Sequence, residues 1–171
     1  MADLALVPRK DSLHLVACSP QKSNKALLEA IQYFFNNLAP QCFAEQCVLG
    51  DRDSAAKIIP NQKGLFSLVV ERVKYIEKVI RPLFDSLTWH TQKYLDYCDW
   101  KAILSLRQRG LHYLPDGKAL IERILKQMNN YRLSTNTTHS KVDRTLLLDD
   151  LTKLLSGPSN YEIKDGKTYI K

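Results

Sequence analysis

The first apolar segments of the chain are short and are separated by polar turns. The segments "DLALV" and "SLHLVAC" lie on either side of "PRKD", so the pattern predicts a β-hairpin over residues 3–18. In the next segment, "SNKALLEAIQYFFNNL", apolar residues recur every three or four positions. This spacing predicts an amphipathic helix that Ser23 or Asn24 caps and Pro40 ends.

Two more strands and a helix are predicted after this one. The strands are "CFAEQCVLG" and "LFSLVVER", and the polar segment between them, "DRDSAAKIIPNQKG", is predicted to be a loop. The following segment, "VKYIEKVIRPLFDSL", has a single apolar stripe and is predicted to be a helix. Pro82 should kink or restart that helix because proline cannot donate a backbone hydrogen bond.

The remaining chain is predicted to be mainly helical. Residues 95–132 contain two amphipathic segments, the second with Asp116 as a candidate N-cap. The polar segment "STNTTHSKVD" is a predicted linker, and Asp143 can cap a last helix that Gly157 and Pro158 end. The final segment, "YEIKDGKTYIK", is a predicted hairpin because Asp165-Gly166 suits the positive φ of a type I′ turn.

These elements predict an α+β fold. The order β-β-α-β-β-α predicts a four-stranded antiparallel sheet with helices packed on one face, followed by extra C-terminal helices and a terminal β-hairpin. The predicted domain covers residues 1–133, residues 134–142 form a linker, and residues 143–171 form a helix-plus-hairpin tail. In the second strand, Leu13, Leu15 and Ala17 are predicted to face the helices, so the alternate residues lie on the open face.

Composition narrows the class of protein. Of the 171 residues, 44% are hydrophobic and 25% are charged, which is typical of a packed globular chain. No apolar run approaches the roughly 18 residues of a membrane span, so a soluble protein with no membrane partner is expected. The four cysteines show no CxxC pair, and buried free thiols are therefore favoured over a zinc site.

The positive charge is concentrated in the C-terminal part. Residues 1–72 hold 8 Lys and Arg against 7 Asp and Glu, whereas residues 73–171 hold 17 against 11, and the net charge is +7. A basic surface of this kind favours a polyanion such as nucleic acid. A solvated surface that is merely basic remains the alternative.

Several phrases, in their order, resemble a known family. They are "GLFSLVVER", then "TQKYLD" and "HYLPDG", and finally "LLSGPSNYEIKDGKTYIK". The chain resembles one half of a LAGLIDADG homing endonuclease or intron maturase of organelles, over roughly residues 12–171. The family's own phrases are "TKKYLD" and "HLTPEG". In this chain Gln92 replaces the first lysine and Tyr113 occupies an extra position.

The resemblance implies a metal-dependent nuclease fold with one element missing. In the family, the LAGLIDADG helix opens each half and its terminal acid binds the divalent metal that assists phosphodiester hydrolysis. Here Ala2-Asp3 in "MADLAL" is the nearest match, and Leu4 stands in place of the motif's glycine. Because two residues precede Asp3, no packing helix is expected before it. We therefore expect no catalytic residues, no metal site and no cofactor, with Mg²⁺ needed only if the chain is a nuclease half.

The candidate nucleic-acid ligands are basic. Two lie in the long predicted loop and the others on the C-terminal helices: Lys57, Lys63, Lys93, Lys101, Arg107, Arg109, Lys118, Arg123, Lys126 and Arg132. Lysine and arginine at such positions suit contacts with phosphate groups. Such contacts do not depend on the base sequence of the nucleic acid, and they weaken as the salt concentration rises. Trp89, Tyr94, Trp100 and Tyr113 are candidates for stacking on unpaired bases, although aromatic residues at helical spacing are more often core.

The favoured function is therefore a catalytically degenerate LAGLIDADG-type protein that binds structured RNA. By the resemblance, it would be a subunit of an organellar ribonucleoprotein, either a mitochondrial ribosome or an intron splicing complex, with protein partners in that complex. The first alternative is half of a metal-dependent endonuclease that cuts duplex DNA together with a partner chain. The second is a protein-interaction subunit without nucleic-acid contact. The family points to mitochondria, with chloroplasts as the other organelle.

Overall fold

The described part of the chain separates into two units. The computed structural model describes residues 3–9, 12–18, 25–42, 55–60, 66–91, 93–128 and 143–171. Contacts between Cα atoms group the chain into residues 1–88 and residues 89–171. The sequence pattern placed a boundary at residue 133 instead, and its predicted linker, residues 134–142, lies outside the described residues.

Antiparallel strands form the first unit together with two helical segments. The strands are β1 (Asp3–Arg9), β2 (Ser12–Cys18), β3 (Ala56–Pro60) and β4 (Phe66–Val70), in the spatial order β1-β2-β4-β3. Helix α1 (Lys25–Cys42) connects β2 to the second strand pair and packs on β3 and β4. This mixture of helix and strand agrees with the predicted α+β class.

The strand register shows which residues of the sheet share a face with Phe66, although β4 itself does not alternate in burial because Val69 is buried too. Leu68 and Val70 are buried, and in the strand register they lie opposite Ile58 and Ala56 of β3. The Lys25 ammonium of α1 lies 5.6 Å from the ring centroid of Phe66, the next residue in the same row. The register of β2 pairs Leu15 with Val70 and Ala17 with Leu68, which are the positions that alternation predicted on the helix side.

The position of β3 corrects the sequence interpretation. The third strand was predicted in "CFAEQCVLG", but α1 continues past Pro40 to Cys42 and residues 43–50 lie outside the described residues. The strand instead forms in "AKIIP", inside the predicted loop. Its two adjacent isoleucines have high β propensity, and the polar residues around them concealed that signal.

The second helical segment, α2, runs without a gap but changes its helical type before Pro82. It starts as an α-helical turn (Val73–Tyr75), continues as a π-helix (Ile76–Ile80) and ends as an α-helix (Arg81–Asp85). The wider π-helical turn lies directly before the proline, where the normal ladder of hydrogen bonds loses a donor. The Tyr75 hydroxyl donates a hydrogen bond to the carbonyl of Phe35, which joins this segment to α1.

The second unit is built from three helices and a hairpin. Helix α3 is Lys93–Gln108, α4 is Pro115–Leu125, α5 is Arg144–Ser156, and strands β5 (Tyr161–Lys164) and β6 (Lys167–Ile170) follow. A short 3-10 turn, Leu111–Tyr113, connects α3 to α4. Because α5 packs on both α3 and α4, the predicted tail belongs to the same unit as these helices. Within the described residues, no helix is both long and apolar enough to span a bilayer.

The helix ends follow their local chemistry with one correction. The Asp143 carboxylate accepts a hydrogen bond from the Thr145 amide at 2.8 Å, as predicted for an N-cap. Asp165 and Gly166 have φ of 51° and 73°, which confirms the predicted turn. The N-cap of α4 is Leu114, however, and not Asp116. Pro115 is pre-organised for the first helical position and starts the helix one residue before the aspartate.

Gly117 is required by a close approach of two backbone segments. A Cβ atom at this position would lie 1.9 Å from the carbonyl oxygen of Leu111. We predict that Gly117→Ala lowers the free energy of unfolding of the second unit by about 1–3 kcal/mol, because backbone cannot move aside as a flexible side chain can. Trp89 and Trp100 are the two tryptophans of the chain and both lie in this unit, so urea unfolding followed by tryptophan fluorescence measures it.

Gly157→Ala is the matched control for that substitution. A Cβ at Gly157 would lie 3.4 Å from the nearest backbone oxygen, and its φ is −68°. Its effect should therefore stay within about 0.5 kcal/mol. Equal destabilisation by the two substitutions would contradict the close approach at Gly117.

Candidate nucleic-acid interface

The sheet presents a row of residues on the side away from α1. Lys57 lies opposite Val69 in the register, and Ile59 lies opposite Ser67. Lys57 is exposed and Ile59 is 43% exposed, whereas Ala56, in the alternate row, is fully buried. Lys57 was predicted in a loop, and Ile59 was not among the predicted residues, because neither was recognised as part of a strand.

Helix α1 also holds the outer edge of β3 in place. The Gln32 side-chain amide donates to the Ala56 carbonyl at 3.0 Å, and the Ala56 amide donates to the Asn36 side-chain oxygen at 2.9 Å. Side chains that satisfy an edge strand prevent its slippage and its pairing with other chains. These contacts fix the backbone of Ala56 and therefore the position of the neighbouring Lys57 on the edge strand.

Of the predicted basic ligands, two cannot be placed. Lys63 and Arg132 lie outside the described residues. The predicted set is also divided between the two units, because Lys57 belongs to residues 1–88 while the described members of the helical set belong to residues 89–171.

Arg109 is engaged within the protein. Its guanidinium donates hydrogen bonds to the carbonyls of Leu155 and Gly157, at the C-terminal end of α5. The last carbonyls of a helix have no partner within it and carry partial negative charge. Both terminal nitrogens of the Arg109 guanidinium therefore cap α5, and these hydrogen bonds join α5 to the end of α3.

Arg123 and Lys93 have acidic neighbours. Arg123 of α4 forms an ion pair with Asp150 of α5 at 2.5 Å, and both side chains are substantially exposed. Lys93 lies 3.5 Å from the Asp96 carboxylate one turn later in α3. Such pairs reduce the positive field that a phosphate would meet, although exposed pairs contribute little to stability.

The remaining cations of the set are more accessible. Lys118 and Lys126 are exposed on α4, and Arg107 is half-buried near the end of α3. The Lys101 ammonium lies 4.7 Å from the centroid of the Tyr97 ring, a cation–π contact that leaves its charge in place. The basic side of the second unit is therefore smaller than the sequence count indicates.

Of the four aromatic candidates, Trp100 belongs to the core of the second unit, Trp89 is half-buried, and Tyr94 and Tyr113 are exposed. Trp100 is 1% exposed, and its ring stacks on Tyr97 with centroids 5.8 Å apart. Trp89 also stacks on Tyr97, with ring centroids 5.1 Å apart. Tyr94 and Tyr113 keep 46% and 41% exposure. Trp89, Tyr97 and Trp100 thus form one stack of rings that stabilises α3.

Two buried acids were missed by the sequence interpretation. Asp96 and Asp99 are 5% and 3% exposed, although acidic residues are rarely buried without partners. Asp99 forms an ion pair with Arg144 of α5 at 2.9 Å. Their spacing of three residues among apolar neighbours was the available signal, and the contacts indicate a structural role that ties α5 to α3.

A pair of tyrosines closes the turn after α3. The rings of Tyr113 and Tyr161 meet edge to face at 6.3 Å. Burial raises the pKa of the Tyr161 phenol above its ordinary value of 10.0, Tyr113 raises it further, and Arg107 acts in the opposite direction. The phenol therefore stays neutral at physiological pH and remains a hydrogen-bond donor.

Ligands for the metal of the resembled family are not grouped among the described side chains. Among the side chains that the structure describes, no group of three His, Cys, Asp or Glu residues is placed to hold a metal ion. Asp3 is the first residue of β1, and its side chain lies outside the described atoms. The described residues therefore do not form a magnesium site by themselves.

Comparison with known proteins identifies the family. The sequence profile described as LAGLIDADG endonuclease matches residues 13–104, more than half of the chain. The chain belongs to the LAGLIDADG endonuclease family. The matched residues begin in β2 and end within α3, so they include α1, β3, β4 and α2 but not β1.

A mitochondrial protein is among the relatives of this LAGLIDADG chain. This chain is similar to the uncharacterized mitochondrial protein RF1 of Saccharomyces cerevisiae, with 30% identity over 129 residues. The match covers 72% of this chain and 27% of the yeast protein. The chain thus spans about a quarter of the length of that relative.

Solved LAGLIDADG structures share the fold. The homing endonuclease I-GzeII in complex with its DNA target matches 77% of this chain and 40% of its own, with 21% identity and a TM-score of 0.56. Meganuclease I-SmaMI bound to uncleavable DNA matches with 18% identity, coverage of 77% and 42%, and a TM-score of 0.55. I-TnaI matches with 17% identity, coverage of 90% and 88%, and a TM-score of 0.52.

Arg109 provides a test of the internal use of basic residues. We predict that Arg109→Ala lowers the unfolding free energy of the second unit by about 1–3 kcal/mol, because two helix-terminal carbonyls lose a charged donor. The measurement is urea unfolding followed by tryptophan fluorescence. Lys118→Ala, which removes an exposed charge from α4, should change stability by less than about 0.5 kcal/mol. A neutral Arg109→Ala would contradict the capping role.

Proposed function

We propose that this chain is the nucleic-acid-binding part of a mitochondrial LAGLIDADG protein and that it binds duplex DNA. The observation that carries the proposal is the two-sided sheet. Leu68 and Val70 are buried in one row, while Lys57 and Ile59 of the edge strand β3 are exposed in the alternate row, where Val69 of β4 is buried. An exposed sheet row with a cation and an apolar side chain suits contact with phosphate and base edges in a groove.

Similar structures favour DNA over RNA as the ligand. I-GzeII and I-SmaMI, which share the fold, are structures of complexes with DNA. The sequence interpretation favoured structured RNA instead, because the resemblance includes intron maturases, and it offered four rings as candidates for stacking on unpaired bases. Trp100 is buried, however, and Trp89 is stacked on Tyr97, which weakens that argument.

The second unit adds sequence-independent contacts in this proposal. Lys118 and Lys126 of α4 and Lys101 and Arg107 of α3 supply charge for phosphate groups. Arg109 and Arg123 are not required, because each has a partner inside the unit. Mitochondrial location is proposed from the yeast relative. DNA cleavage by a longer protein, with Asp3 as a metal ligand, is a separate proposal.

Lys57→Gln tests the sheet row. We expect a lower affinity for a short fluorescein-labelled DNA duplex of mixed sequence, measured by fluorescence anisotropy with the full chain. Loss of one phosphate contact should lower the slope of log affinity against log salt by about 0.9, and the affinity itself by roughly five- to tenfold at about 0.1 M salt. Lys78→Gln, which removes an exposed charge from α2, is the matched control and should leave both quantities unchanged.

Three outcomes would contradict the proposal. Equal slopes for Lys57→Gln and the wild-type chain would remove the sheet row from the interface. Tighter binding to a structured RNA hairpin than to the DNA duplex at equal salt would replace DNA with RNA as the ligand. Absence of salt-dependent binding to either nucleic acid would favour the protein-interaction alternative.

A further inference from the structure

We propose that the C-terminal hairpin is a second contact with DNA, in which Lys164 and Lys167 bind phosphate groups. This inference rests on the proposed function and assigns to it a surface that lies outside the family-matched residues 13–104. The hairpin strands β5 and β6 form a sheet of their own.

The turn of the hairpin places the two lysines side by side. Asp165 and Gly166 both have positive φ, 51° and 73°, which is the geometry of a tight two-residue turn whose twist matches the strands. Lys164 and Lys167 flank this turn and are directly paired in the register. Side chains of such a pair lie on the same face, with Cβ atoms about 4.5–5.5 Å apart.

The base of the hairpin is fixed to the helical part of the unit. The Asn160 amide donates to the Arg109 carbonyl at 2.8 Å, and the Asn160 side chain donates to the Gly110 carbonyl at 3.0 Å. The Lys171 amide donates to the Asn160 carbonyl at 2.9 Å, which closes the strand pair. Gly110 has a φ of 68°, and a Cβ there would lie 3.0 Å from the Tyr161 ring. These contacts hold the turn at a defined distance from α3.

The paired lysines oppose folding of the hairpin when no anion is present. Like charges directly opposite each other on two strands are destabilising, and a two-stranded hairpin is only marginally stable by itself. Glu162 compensates in part, since its carboxylate lies 3.0 Å from the Lys164 ammonium. A phosphate group between the two ammonium groups would convert the repulsion into two charge-assisted contacts.

The surface next to the lysines is also suited to a DNA backbone. Tyr169 is paired with Glu162, so it lies on the same face as the two lysines, and it is 48% exposed. A tyrosine hydroxyl beside lysines is a common phosphate contact. Among the described cations near the turn, Lys167 is exposed on β6 and extends the positive surface beyond the Lys164–Glu162 pair.

The test compares variants that remove and add positive charge at the hairpin. In the anisotropy titration with duplex DNA, the double variant Lys164→Gln/Lys167→Gln should lower the salt slope by about 1.8 and the affinity by roughly tenfold or more at about 0.1 M salt. Glu162→Gln frees Lys164 and should raise the affinity by roughly two- to threefold. Lys74→Gln/Lys78→Gln removes two exposed charges from α2 and is the matched control, with no expected change.

The outcomes separate this inference from the function on which it rests. Unchanged binding by the hairpin double variant, when the wild-type chain binds DNA, overturns the hairpin contact alone. Equal losses for the hairpin and control double variants also overturn it, because the effect is then one of net charge. Absence of DNA binding by the wild-type chain overturns both proposals. Tryptophan fluorescence during urea unfolding checks that each hairpin variant keeps the stability of the second unit.

Discussion

Burial of one face of the sheet by α1 is the constraint on which the rest of this account depends. Side chains alternate along a strand, so packing Leu68 and Val70 under the helix forces Lys57 and Ile59 into the opposite row. The buried row removes apolar surface from water and fixes the register. The Ala56 carbonyl accepts a hydrogen bond from Gln32 and the Ala56 amide donates one to Asn36, and these bonds oppose a slip that would exchange the two faces.

Charge in the second unit serves structure and binding at the same time. Arg109 joins α5 to the end of α3, and Arg144 neutralises the buried Asp99. A count of lysines and arginines therefore overstates the surface available to a polyanion. Exposed cations of the described second unit include Lys118 on α4, Lys153 on α5, and Lys164 and Lys167 at the tip of the hairpin. The hydrogen bond from the Asn160 amide to the Arg109 carbonyl holds the base of the hairpin and so restricts the position of its tip.

Patterns that are local in the chain were predictable, whereas partners distant in the chain were not. Apolar spacing predicted α1 and α2, and the chemistry of Asp143 and Asp165-Gly166 predicted a helix start and a turn. The strand at Ala56–Pro60 was missed because its propensity is carried by two isoleucines within polar sequence. The capping role of Arg109 depends on carbonyls 46 and 48 positions away, and no periodicity in the sequence reveals such contacts.

Site-specific photo-crosslinking tests the central claim most directly. Ile59 and Leu27 have similar exposure, 43% and 49%, but Ile59 lies in the sheet row and Leu27 on the outer side of α1. Each position would carry p-benzoylphenylalanine in the full chain, irradiated with labelled duplex DNA at low salt. The account predicts a strong crosslink from position 59 and little from position 27. A crosslink from position 27 without one from position 59 would contradict it.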